Sequence, residues 1–250
     1  MRHVLAVRIA FVAAAVGILE ALCLAGVIDH LTMPPPHRIM LDLVRMLAQG
    51  SLDGAILKTL GNVAIALLLA VTVGIAFAVA VHRFRHVRWC FDPLFATYYA
   101  VPVFAFYPLF LVLFGLGDAP QILIAFMLGV VAVIVSTLDG LDRVPGVLLK
   151  AARINRLGRI ETALHVTLPF AAPYILTGMK LAVAYSMIGI IGAEFIMSRG
   201  GIGYEISFAY SNFDNATMYP LMLLILILSV AVNTTLAHWE KALLRRRGLA

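Results

Sequence analysis

The residues able to do chemistry in this chain fall into three groups, each suggesting a different activity. His82 and His86 stand four apart, a spacing that puts two imidazoles on one helix face, where they could grip a metal ion. Catalytic zinc takes three protein ligands, and this pair has Arg83, Arg85 and Arg88 around it in place of a third ligand. Those cations would repel a metal, so an ordinary basic loop is expected and no metal site. Glu20 and Glu194 are carboxylates inside long apolar runs. Ionisable groups at membrane depth face a bundle interior or a wet cavity. Glu194 therefore either lines a path or bonds a neighbouring helix, while Glu20 suits a structural contact. The third group is basic: Lys150, Arg153, Arg156, Arg159 and His165 fall within sixteen residues.

Other chemistry finds little support. A G-x-x-x-x-G-K-[ST] loop, whose backbone and lysine would hold ATP phosphates, does not occur. The Gly-rich stretch at Gly200 lacks both the lysine and a strand context. No apolar run pairs a nucleophile with a base, so neither a catalytic role nor a cofactor is expected. Cys23 and Cys90 lie in different segments and imply no disulfide framework. Tyr98 and Tyr99 could stack on a substrate, although tyrosines at this depth also serve as interfacial anchors. Asn62 and Asn233 suit bonds between helices.

The elements that position these residues are apolar. Of 250 residues, 62% are hydrophobic and only 13% charged, and the mean hydropathy is +0.99. Soluble domains carry about 25% charged residues. A helix crosses the hydrocarbon with roughly 20 apolar residues, and six runs qualify: 9–28, 60–81, 95–115, 121–138, 174–197 and 218–239. The third holds Pro102 and Pro108. The reading is a single all-α polytopic membrane domain over 1–250. The start could pass for a signal peptide, but its apolar core is long and carries Glu20, so an uncleaved first helix is expected. Between the first two runs, three prolines precede Ile39, Met40, Leu43, Val44 and Leu47 at helical spacing. That pattern suits an amphipathic anchor on the outer surface.

The net charge of +6 raises nucleic acid as a partner, but its distribution argues for the membrane. With both termini inside, the cytoplasmic segments hold Arg2 and Arg8; Arg83, Arg85 and Arg88; Arg143, Lys150, Arg153, Arg156 and Arg159; and Lys241 with Arg245, Arg246 and Arg247. Arg38, Arg45, Lys58 and Arg199 fall outside, and Lys180 lies near the inner end of the fifth run. This asymmetry places the basic insert in the cytoplasm.

That insert, 139–173, exceeds the few residues needed to join two adjacent helices. Leu148, Ala151, Ala152 and Leu157 recur at helical spacing with Lys150, Arg153 and Arg156 on a neighbouring arc. Gly158 offers a break, a second apolar stripe begins at Ile160, and Pro169 is expected to stop it. Two short helices would form a knob. It could be gripped by another protein or held by anionic lipid.

The insert resembles the cytoplasmic EAA loop in permease subunits of binding-protein-dependent bacterial ABC importers. That motif reads Glu-Ala-Ala, then Gly, then a late Leu-Pro, and Ala151-Ala152 with Leu168-Pro169 match it. "VPVFAFYPLFLVLFGLG", "LPFAAPYILTGMKLA" and "GAEFIMSRGGIGYEI" resemble further family segments, so that the likeness runs from about Pro34 onward, with a core at about 55–245. The nitrate, sulfonate and taurine branch is most similar. Lys150 stands where the family has Glu and Arg156 where it has Gly, with Gly158 displaced by two residues.

The resemblance implies a type I importer permease that couples to a separate ABC ATPase. It implies delivery by a periplasmic or lipid-anchored substrate-binding protein, a permease homodimer around the path, and residence in the bacterial inner membrane. Lys150, Ala151, Ala152, Arg153, Arg156, Gly158, Leu168 and Pro169 become the expected coupling residues. Tyr99, Pro102, Pro108, Glu194 and Met197 become the candidate path residues. An ion-coupled secondary transporter would want several midplane carboxylates and an internal repeat, and an intramembrane enzyme would want catalytic groups in the runs.

Overall fold

A computed structural model describes residues 2–29 and 32–246, and among these every regular element is helical. In chain order they are α1 (Arg2–Leu24), α2 (Pro36–Ala48), α3 (Asp53–Arg83), α4 (Arg85–Tyr98), a 3-10 turn (Val103–Phe106), α5 (Tyr107–Phe114), α6 (Asp118–Asp142), α7 (Gly146–Ile154), α8 (Arg159–Thr162), a π-helical turn (Ala163–Thr167), α9 (Leu168–Met197), α10 (Ile202–Ser211) and α11 (Asn215–Arg246). Four stretches are long and apolar enough to cross a bilayer: Asp53–Arg83, Asp118–Asp142, Ile160–Ile196 and Asn215–Lys241. They coincide with the second, fourth, fifth and sixth expected runs, the fifth to within one residue. The first run, 9–28, holds a shorter apolar helix, Ala10–Leu24, and its last four residues lie beyond it.

The third run, 95–115, is not one helix. α4 stops at Tyr98, Pro102 takes ψ 84, and a 3-10 turn follows before α5. Proline removes a backbone donor and crowds the preceding turn, which hydropathy does not register. Pro108 sits in the first turn of α5, where its missing N–H leaves no helical bond unmade.

Pro169 does not stop its helix either. α8 passes through the π-helical turn directly into α9, with Pro169 in the first turn of α9. The wider π turn makes room for the ring, and Thr167 Oγ1 donates to the Ala163 carbonyl at 3.2 Å. The second half of the insert, from Arg159, and the fifth span are therefore one continuous helical rod.

α6 packs between α3 and α9 along a seam of small residues. A Cβ on Gly189 would lie 2.6 Å from Ala125 Cα, and one on Gly178 would lie 2.8 Å from Ser136 Cβ. Helices in lipid associate by close packing, with no hydrophobic drive between them, so small side chains set the approach. α2, α10 and Leu52, just before α3, cover the first half of α11 in a cluster with Leu43, Ile202, Ile206, Leu221 and Leu224. The expected stripe on α2 divides: Ile39 and Leu43 are buried, whereas Met40, Val44 and Leu47 remain exposed. Glu20 tethers α1 to the start of α2, meeting His37 Nδ1 at 2.5 Å and accepting the His37 backbone N–H at 3.2 Å.

Candidate functional site

The two ends of the bundle carry different polar constructions, joined by α9. At the basic end, α6 closes on Asp142, which receives Arg88 and lies 3.3 Å from His82 Nε2. His82 thus pairs with a carboxylate, and the described residues contain no cluster of three potential metal ligands. The Arg143 guanidinium sits over the Tyr174 ring, 5.3 Å from its centroid. The chain then turns through Pro145 into α7.

α7 rests on the π-helical turn and divides the Ala-Ala pair. Ala152 is buried at 3% exposure, whereas Ala151 faces outward. Adjacent residues on a helix point about 100° apart, so the pair was never going to share a face. Lys150 and Arg153 are exposed. Leu157 N–H donates to the Ala152 carbonyl at 3.0 Å and Arg156 N–H to the Arg153 carbonyl at 3.0 Å. These two bonds make a Schellman end, whose penultimate position takes a left-handed backbone and usually holds glycine. Here Arg156 holds it, with φ 53. A non-glycine residue there costs about 1–2 kcal/mol.

Gly158 lies at the break between α7 and α8. It opens α8: its N–H donates to Glu161 Oε2 at 2.7 Å, and its carbonyl accepts from the Thr162 hydroxyl at 2.9 Å. The Glu161 bond is the carboxylate half of a capping box, which glycine has no side chain to return, and Glu161 is a site residue not singled out from the sequence. The spacing of Gly158 and Glu161 was the available signal. Leu168 packs beside Leu141, Ala171 and Ile175 at the root of the rod, and Pro169 is exposed next to it.

At the opposite end, Glu194 is fully buried where α3, α9 and α10 meet. Thr59 Oγ1 lies 2.8 Å and 3.0 Å from its two carboxylate oxygens, and Gly203 N–H donates to Oε2 at 3.0 Å. Thr59 Oγ1 in turn accepts the Ile202 N–H at 2.9 Å. Between them, the two side chains satisfy the first free amides of α10, which also presents its positive dipole end to the carboxylate. Gly201 crosses over this carboxylate with φ 103, and a Cβ there would fall 2.3 Å from Glu194 Oε1. Only glycine fits. A second link ties the same turn to α3 and α6: Gln121 Nε2 donates to Ser198 Oγ at 2.9 Å, Asn62 Nδ2 approaches Gln121 Oε1 at 3.4 Å, and Lys58 pairs with Asp118 at 3.1 Å.

The candidate path residues differ in exposure. Tyr99 is 51% exposed and stacks on Tyr185 at 5.7 Å between centroids. Pro102 and Pro108 are exposed in the broken third run. Glu194 has no open surface, and the Met197 side chain lies outside the described residues. A groove of about 560 Å³ lies between the 3-10 turn, α9, α10 and α11, and its lining, including Phe104, Phe195, Ile206 and Met222, is wholly apolar.

These features define a multi-pass, all-α membrane protein whose longest apolar rod runs from a basic knob at one end to a capped short helix at the other. The model of one family, described as "Binding-protein-dependent transport system inner membrane component", matches residues 70–248. The chain belongs to that family. It is 30% identical over 187 residues to the taurine transport system permease protein TauC of Escherichia coli (strain K12), covering 73% of this chain and 68% of that protein. It is 29% identical over 178 residues to the nitrate import permease protein NrtB of Leptolyngbya laminosa, covering 71% and 64%. It is 31% identical over 173 residues to the bicarbonate transport system permease protein CmpB of Synechococcus elongatus, covering 67% and 62%. The chain thus spans somewhat under two thirds of the latter two relatives.

Proposed function

We propose that this chain is the permease subunit of an ABC importer, forming the membrane path for a small solute of the taurine, nitrate or bicarbonate kind. The observation that carries the reading is the unbroken rod from the α7–α8 knob to α10. A separate ATPase grips the knob, a substrate-binding protein meets the opposite end, and a second copy of the chain closes the path. The knob and both termini lie in the cytoplasm, and α10 lies outside.

The mechanism follows from the mechanics of the rod. α9 has 30 residues, a length of about 45 Å. Closure of the ATPase displaces α7, which rests on the π turn that begins the rod. Small residues along the α6–α9 seam let the rod move as a unit against its neighbour. At its far end, Glu194 passes that movement to α10, because the carboxylate accepts the Gly203 amide of that helix directly.

Topology provides the test. With the native cysteines replaced, a membrane-impermeant thiol reagent added to intact cells is expected to modify a cysteine introduced at Ser211 and spare one at Arg156. The reverse labelling pattern would contradict the orientation and, with it, the placing of the ATPase.

A further inference from the structure

The knob carries an electrostatic feature that a generic docking surface does not require. Lys150, Arg153 and Arg156 are all exposed on it, and none has an ion-pair partner among the described residues. Its own acid, Glu161, accepts the Gly158 amide. Asp142, at the base of the knob, is engaged by Arg88 and His82. Beside these cations lie Val147 at 75%, Ile154 at 81% and Ile160 at 76% exposure.

Arg156 is the telling residue. Its backbone sits at φ 53, a position glycine would occupy without strain. Strain retained at one residue points to a use for its side chain. The Schellman end fixes the backbone from which that side chain projects, just beyond α7, with Lys150 six residues earlier on the helix.

We infer that the partner of this knob is an ATPase whose docking cleft is acidic, with an apolar floor for the exposed aliphatic residues and carboxylates facing Lys150 and Arg156. The inference rests on the permease reading above. The charge pattern sets the partner's chemistry. A planar guanidinium suits bidentate pairing with a carboxylate, and the fixed backbone at Arg156 sets the point on the knob from which it is presented. The burial of Ala152 adds to this, because the knob is a folded unit braced on the rod and not a helix lying loosely on a surface.

The test uses the full chain purified as a complex with its own ATPase subunit. Reversing both charges, Lys150→Glu with Arg156→Glu, is expected to weaken ATPase affinity about tenfold or more, with no loss of thermal stability in the permease alone. Exchanging the facing cleft carboxylates of the ATPase for lysine is expected to restore the affinity. Arg156→Gly keeps the backbone and removes the cation, so it should weaken affinity several-fold while making the isolated permease more stable. Affinity of the unaltered complex should also fall as salt rises.

Unchanged affinity on charge reversal would overturn the acidic cleft while leaving the permease reading intact, as would tighter binding. Charge reversal that alters only the association of the ATPase-free chain with phosphatidylglycerol-containing vesicles would assign the cations to lipid and overturn it too. Failure of the unaltered chain to hold any ATPase would overturn both readings.

Discussion

Glu194→Ala is expected to abolish transport by releasing α10, with a loss of stability of about 3–5 kcal/mol. The carboxylate is fully buried and accepts from Thr59 and from the Gly203 amide. Its removal leaves both donors unpaired at about 1–3 kcal/mol each, together with a cavity beneath Gly201. Glu194→Gln keeps the size and one acceptor oxygen and should retain most of the folded protein. The informative comparison is Thr59→Ala. Because Thr59 holds the Ile202 amide and the carboxylate together, the two alanine substitutions should be strongly non-additive, with a coupling of at least about 1 kcal/mol. Melting curves and uptake for both single variants and the double variant would measure it. A path-lining role for Glu194 would instead give normal melting, altered uptake, and additivity with Thr59→Ala.

The second large effect concerns the alanines of the knob, where two neighbouring substitutions should fail for different reasons. Ala152 faces the π turn at 3% exposure, so Ala152→Trp has no room and must push α7 off the rod. Overpacking of this kind costs about 1–3 kcal/mol or more. The expected result is a lower melting temperature together with loss of the ATPase and of transport. Ala151 is exposed, so Ala151→Trp should leave the melting temperature of the permease unchanged and still block docking. Normal ATPase retention by the Ala151→Trp protein would remove this face of α7 from the interface. A lipid anchor would tolerate that substitution, since tryptophan favours the membrane interface.

The spanning helices were legible because transfer of apolar side chains into lipid dominates their energetics, and hydropathy measures that directly. α3, α6, α9 and α11 each contain their expected run. The break in 95–115 was hidden because it depends on the backbone donors lost at proline, not on polarity. The knob was legible as an insert with helical periodicity, but its internal geometry was not. Arg156 read as the loss of a glycine, yet the backbone keeps the left-handed turn there and strains arginine to do so. Gly158 was legible as a break, and the bond from its N–H to Glu161 just before α8 was not.

Glu194 shows the harder limit. Its partner Thr59 lies 135 residues away, and no local pattern reports such a contact. The small-residue seam could have been found. Ala125, Gly129, Ala132, Ser136 and Gly140 recur at spacings of three and four along α6, a pattern that favours close helix approach in lipid.

The central claim is that this chain moves solute only when a separate ATPase drives it. It is tested most directly by uptake of labelled taurine, nitrate and bicarbonate into cells carrying the chain, its binding protein and its ATPase. The comparison is with the same cells in which the phosphate-binding lysine of the ATPase is replaced by alanine. Uptake of at least one of the three is expected with the intact ATPase, and its loss to background with the lysine variant. Uptake that continues undiminished with the inactive ATPase, and collapses instead when the proton gradient is dissipated, would make the chain an ion-coupled transporter and contradict this account.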